Sequence, residues 1–92
     1  MAGPLDGKVA IVTGAGRGLG RVMTLALLAA GASVAATELD AEALDETGQA
    51  AEAAGAGDRI LDVVADVTRD DSAPRIVRAT TERFGQIGRA HV

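Results

Sequence analysis

Thr13-Gly14-Ala15-Gly16-Arg17-Gly18-Leu19-Gly20 stands between two apolar runs, Val9–Val12 before it and Leu19 to about Ala30 after it. Four consecutive apolar residues followed by glycines and then by three- and four-residue apolar spacing read as strand, tight turn and helix. Glycines remove the side chains that would keep a phosphate away from the backbone, and the helix start offers unpaired N–H groups with a partial positive charge. The order strand–glycine turn–helix therefore points to a nucleotide, bound through its pyrophosphate.

Working outward, the periodicity predicts three repeats of strand and helix. Lys8 to Thr13 is apolar enough for a parallel strand covered on both faces. The helix that follows places Val22, Met23, Ala26, Leu27 and Ala30 on one face and stops at Gly31. Ser33 to Thr37 is assigned as the second strand, chiefly from its place between Gly31 and an acidic turn. Asp40 is suited to cap a helix running to about Ala54, with Ala43, Leu44, Thr47, Ala50, Ala51 and Ala54 as its less polar stripe. Ile60 to Ala65 is the third strand, Thr68 to Asp71 provide turn and cap groups, and Ser72 to Phe84 is the third helix, with Ile76, Val77, Ala79 and Thr80 toward the sheet. Right-handed crossovers then give a Rossmann-like, three-layer α/β/α unit with strand order 3-2-1, half of a doubly wound parallel sheet. The fourth strand onward is expected to be missing. Residues 1–87 are expected to form this partial dinucleotide-binding domain, and 88–92 an atypical tail whose Gly88, Arg89 and His91 interrupt the apolar run a fourth strand would need.

Composition narrows the functions. The 92 residues carry a net charge of −4, which argues against a nucleic-acid partner, since such proteins display a basic face. There is no cysteine, so thiolate metal sites, cysteine nucleophiles and disulfides are excluded, in keeping with a reducing cytoplasm. No apolar stretch is long enough to span a bilayer. Phe84 is the sole aromatic residue, so the core must come from Ala, Val, Leu and Ile. The acids Asp62, Asp66, Asp70 and Asp71 lack the spacing of a cation-binding loop, and no metal is expected. His91 reads as a frayed tail residue rather than as a base or ligand.

The glycine spacing T-G-x-x-x-G-x-G, formed by Thr13, Gly14, Gly18 and Gly20, resembles that of the short-chain dehydrogenase/reductase family. Three further segments support the resemblance: Leu5-Asp6-Gly7-Lys8-Val9-Ala10-Ile11-Val12-Thr13-Gly14 is similar to the family's first strand, Ile60-Leu61-Asp62-Val63-Val64-Ala65-Asp66-Val67 to its third strand, and Glu82-Arg83-Phe84-Gly85-Gln86-Ile87 to the end of its fourth helix. The resemblance implies an NAD(P)-dependent oxidoreductase acting on an alcohol or carbonyl.

The cofactor-binding residues expected from position and resemblance are Gly14, Arg17, Gly18, Leu19, Gly20, Glu38, Asp66 and Val67. The glycines allow close approach, and the N–H groups around Gly18, Leu19 and Gly20 face the pyrophosphate. Glu38, at the end of the second strand, can accept the adenosine ribose hydroxyls and would repel a 2′-phosphate. The resemblance gives Asp66 to the adenine amino group and Val67 to a backbone contact. Arg17 pulls the other way, because the resemblance implies that a basic residue just before the second glycine can pair with the 2′-phosphate of NADP. NAD is the expected cofactor and NADP the lesser candidate, since Glu38 imposes a direct electrostatic penalty while Arg17 can swing aside.

The family's chemistry uses a Tyr whose phenolate is stabilised by a Lys, with a Ser orienting the substrate oxygen. This sequence contains no Tyr; its only Lys is Lys8, and Ser33 and Ser72 match no catalytic motif. The Asn-Asn-Ala-Gly segment expected just after Ile87 is also missing. No catalytic residue is assigned, and the chain is read as the cofactor-binding portion of such an enzyme, truncated or frame-shifted after Ile87. The alternative is a stand-alone nucleotide-binding or protein-interaction module. With no fourth strand, Val9–Val12 would be an open edge prone to self-association.

Overall fold

A computed structural model describes residues 3–85 and the backbone of residues 90 and 91. The elements are β1 (Val9–Thr13), α1 (Gly18–Ala29), β2 (Ser33–Glu38), α2 (Ala41–Ala53), a 3-10 turn at Gly57–Arg59, β3 (Ile60–Val64), α3 (Ser72–Phe84) and β4 (Ala90–His91). All pairings are parallel and the sheet order is β3-β2-β1-β4. Because a parallel neighbour must be reached by a crossover, each helix lies over the sheet and covers one of its faces.

Alternation along the strands sorts the core into two layers. Val12, Val34 and Ala36 pack with Leu28 of α1 and with Leu44 and Ala51 of α2. On the opposite face Ile11, Ala35 and Val63 pack with Ile76 of α3. The three-layer arrangement and the order 3-2-1 expected from the sequence are both present. With small residues on β2, Ala35 and Ala36 both wholly buried, helices approach the sheet closely on either side.

Three expectations need correction. The buried side of α1 matches the expected face only in part: Leu27 packs against the core, but Val22 is 62% exposed, Ala26 is exposed, and the buried residues are Thr24 and Leu28, with Leu25 packed beside them. The helix is apolar almost all round, so periodicity specifies its rotation weakly; Gly20 sets it by pressing on the turn, and Thr24 and Leu28 follow at four-residue spacing. On α3, Ile76 and Thr80 are buried but Val77 faces solvent.

The third correction concerns the edge of β1. Ala90 and His91 pair with Ala10 and Ile11, where an open edge was expected, so the backbone of His91 belongs to a short fourth strand. A parallel ladder joins backbone N–H and C=O groups, which a polar or glycine-interrupted sequence supplies as well as an apolar one. Of the expected tail, residues 88, 89 and 92 lie outside the described residues, as do Gln86 and Ile87.

Candidate cofactor site

The parallel strands end together, with Thr13 level with Thr37 and Glu38 level with Val64, and the site residues gather at this carboxyl edge. Gly14 and Gly18 take positive φ of 65° and 56°, conformations that a side chain would strain. A Cβ on Gly20 would stand 1.9 Å from the Gly14 carbonyl oxygen, and one on Gly16 2.6 Å from the Glu38 side chain. The turn is thus folded back on the start of α1 at one end and against the end of β2 at the other.

Long-range hydrogen bonds fix that shape. The Ala15 N–H donates to the Thr37 carbonyl at 2.9 Å, carrying the β1–β2 ladder one residue into the turn. Thr47, fully buried on α2, donates through its hydroxyl to the Ala15 carbonyl at 2.8 Å. Arg21 Nε donates to the Gly16 carbonyl and to Thr47 Oγ1, both at 3.0 Å, and its Nη2 meets Glu46 at 3.0 Å. Gly16, Arg21 and Thr47 were not singled out by sequence reasoning. Arg21 could be read as a helix-surface residue and Thr47 only as part of an amphipathic stripe, and neither shows in sequence that it reaches the turn.

Once the turn's carbonyls are bound, what remains is a row of donors. No side chain caps α1, its first turn carries no acid, and among the described residues no acceptor meets the N–H groups of Gly18, Leu19 and Gly20. Free donors at the positive end of a helix suit an anion. Leu19 itself is 73% exposed.

Glu38 and Arg17 flank this row. Glu38 Oε1 accepts from the Gly16 N–H at 2.9 Å and Oε2 from the Asp40 N–H at 3.2 Å, so the carboxylate is anchored between the turn and the start of α2. Arg17 pairs with Asp40. Asp40 also caps α2, its Oδ1 accepting from the N–H groups of Glu42 and Ala43 at 3.0 and 3.2 Å. The Ala43 N–H foremost, then that of Glu42 and the Arg17 guanidinium, hold the Asp40 carboxyl below its ordinary value of 3.8.

Asp66 and Val67 follow β3 on the same edge but form a separate turn. Asp66 Oδ1 accepts from the Thr68 hydroxyl at 2.6 Å and the Thr68 N–H at 2.9 Å. The hydroxyl foremost, the N–H and the charge of Arg69 lower the Asp66 pKa. Val67 is 53% exposed. Asp71, expected among the cap groups of α3, makes no side-chain cap and instead meets Arg69 at 3.5 Å.

Asp62 belongs elsewhere. It sits mid-strand under α2, where a Cβ on Gly48 would lie 2.9 Å from its Oδ2. Desolvation there, then the charges of Asp45 and Glu52, raise its pKa above 3.8. Among the described residues no group of acidic or histidine side chains could hold a metal ion.

The strand order and the glycine turn define a partial unit of Rossmann type. The chain matches the short chain dehydrogenase family over residues 8–89 and belongs to it. It is 46% identical to a short chain dehydrogenase/reductase, astE, of Aspergillus oryzae over 83 residues, 90% of this chain and 31% of the relative. Among solved structures, the apo-form of glucose dehydrogenase of Caenorhabditis elegans superposes with a TM-score of 0.87 at 39% identity, covering 91% of this chain and 36% of that one. A short chain dehydrogenase/reductase from Burkholderia phymatum in complex with NAD superposes with a TM-score of 0.84 at 34% identity, covering 90% of this chain and 29% of that one. The chain spans about a third of the length of the curated relatives it matches.

Proposed function

We propose that this chain supplies the adenosine and pyrophosphate half of a nicotinamide-cofactor site, in an oxidoreductase that moves hydride between the nicotinamide and an alcohol or carbonyl. The observation that carries this is the row of N–H groups at Gly18, Leu19 and Gly20, unpartnered among the described residues, beside the anchored carboxylate of Glu38. Gly14, Gly18 and Gly20 give the pyrophosphate access to the backbone, Leu19 contributes its N–H, and Arg17 lies beside the diphosphate. Asp66 keeps Oδ2 for the adenine amino group, and Val67 offers its backbone.

NAD is the cofactor proposed. A carboxylate fixed at the ribose accepts hydroxyls and repels a 2′-phosphate, and Arg17 is engaged by Asp40. When bound, the nicotinamide supplies or accepts the hydride; these residues hold the adenosine end and move no proton. The acid–base phenol of the family's chemistry is not among these 92 residues, which contain no Tyr, and turnover by them alone is expected to be at background.

Residues 1–87 are proposed as one dinucleotide-binding unit. The cytoplasm is the compartment proposed, on the cysteine-free composition; among the described residues no helix is long and apolar enough to cross a membrane. Self-association is proposed along the part of β1 beyond Ile11, which has no strand partner on the β4 side among the described residues. Sedimentation that stays monomeric at all concentrations would overturn that.

Calorimetric titration tests the cofactor reading. NAD is expected to bind weakly, with Kd of about 0.1–1 mM, and Glu38→Ala to weaken NAD while narrowing its advantage over NADP. An unchanged NAD-to-NADP ratio in that variant would remove Glu38 from the choice, and no binding of either nucleotide would sink the site.

A further inference from the structure

Arg17 is the one cation in the glycine turn, and its guanidinium is paired with the carboxylate of Asp40. Asp40 divides its two oxygens: Oδ1 accepts the N–H groups of Glu42 and Ala43 that open α2, and Oδ2 holds Arg17. The Asp40 N–H in turn donates to Glu38 Oε2 at 3.2 Å, and Glu38 Oε1 takes the Gly16 N–H. Glu38, Asp40 and Arg17 therefore form a single chain of contacts from the turn to the start of α2. The other cation nearby, Arg21, is committed to the Gly16 carbonyl, Thr47 and Glu46. The pair closes one side of a cleft of about 280 Å³ that Arg21, Glu42 and Glu46 also line.

We infer that Asp40 is a positioning residue for cofactor choice: by holding Arg17 on Oδ2 it keeps the guanidinium from a 2′-phosphate, and so sharpens the preference for NAD that Glu38 begins. This rests on the nucleotide site proposed above. An ion pair with both side chains partly in water is weak and screened, so the lock biases Arg17 without immobilising it. The cap on α2 is a separate duty, because it uses the other oxygen.

That division of labour makes the test clean. Asp40→Asn keeps Oδ1 as a cap acceptor, and Asn caps helices as well as Asp, while an amide NH₂ replaces the oxygen that held Arg17. Binding is measured with adenosine 2′,5′-bisphosphate and with 5′-AMP, which report on the adenosine half alone, in the wild-type 92-residue chain, Asp40→Asn, Arg17→Gln and the double variant. The melting temperature of each is followed alongside. Asp40→Asn is expected to raise the affinity for the bisphosphate relative to 5′-AMP by about two- to fivefold, matching the strength of an exposed ion pair, at an unchanged melting temperature. In the Arg17→Gln background the same substitution is expected to leave the ratio where it was. A ratio unmoved by Asp40→Asn, or a gain that persists without Arg17, would overturn the inference; the latter would mean that Asp40 acts by its own charge. If Asp40→Asn melts lower, Asp40→Ser, which caps without a charge, must reproduce the Arg17-dependent gain, and its failure to do so would equally overturn the inference. Wild-type chain that binds 5′-AMP with no Asp40 effect refutes this inference alone, whereas wild-type chain that binds neither ligand refutes the nucleotide site together with it.

Discussion

Two turns leave the carboxyl edge of the sheet, one after β1 and one after β3, and they are held in opposite ways. The first is fixed from outside: Thr37, Glu38 and Thr47, each more than twenty residues away, bind its carbonyls and N–H groups, leaving the N–H row at the start of α1 free. The second is fixed mostly from within, by Asp66 with Thr68, the Ser72 hydroxyl with the Asp66 carbonyl and Asp71 with Arg69, and its one bond from outside among the described residues is the ladder bond of the Ala65 N–H to the Glu38 carbonyl. A turn braced by its own residues uses up its donors on itself; one braced by its neighbours can keep donors for a ligand. The difference is why an anion is proposed at the first turn and only a lesser contact at the second.

Breaking the first turn should have the largest effect. Gly20→Ala places a Cβ 1.9 Å from the Gly14 carbonyl oxygen; backbone meets backbone, and the expected loss is about 3 kcal/mol or more. Urea denaturation measures it, and an unfolded variant would itself meet the expectation. Native-like stability would show that α1 can lift from the turn without penalty.

Thr47→Val is the next step down and separates bracing from folding. The isosteric change strips the buried donor from the Ala15 carbonyl and the acceptor from Arg21, and about 1–3 kcal/mol should be lost. NAD affinity should fall in samples that remain folded at the titration temperature. Retained affinity would mean that Thr37, Glu38 and Arg21 hold the turn without Thr47.

Asp62 sharpens the comparison by lying outside both turns. Its raised pKa means that the folded state favours the protonated acid, so this stabilisation is present at acid pH and is lost as pH rises through and beyond 3.8. Asp62→Asn should therefore raise the melting temperature more at neutral than at acid pH, with NAD binding unchanged.

The smallest effect is expected in the second turn. Asp66 has a lowered pKa, so its contribution is present above 3.8 and is lost as pH falls below it. Asp66→Asn, which keeps the acceptor for Thr68, should leave neutral-pH melting almost unmoved and remove part of the acid sensitivity. A large drop at neutral pH would show that this turn, too, is held from a distance.

Element type and order were legible because they depend on near neighbours. The apolar run Val9–Val12, the cap at Asp40 and the stops at Gly31 and Gly85 each act within a few residues, and the strands and helices lie where these signals put them to within a residue or two. Spacing also marked the glycines and Glu38 as residues of the carboxyl edge. The rotation of α1 was not legible, since a helix apolar on every side can face the sheet in several ways until Gly20 meets Gly14. Nor was β4, because strand pairing is made by backbone groups that every sequence possesses.

The sequence by itself determined a strand–turn–helix alternation of Rossmann type and a glycine-rich turn at its first crossing, since periodicity, capping and glycine spacing are local properties of the chain. Only the tertiary structure decided what that turn leans on. The Thr47 hydroxyl under Ala15, Arg21 against Thr47, Glu38 on the Gly16 N–H and Asp40 holding Arg17 join residues 22 to 32 positions apart. Parallel crossovers bring the start of α2 beside the turn after β1, and until the chain has made them those groups have no reason to meet.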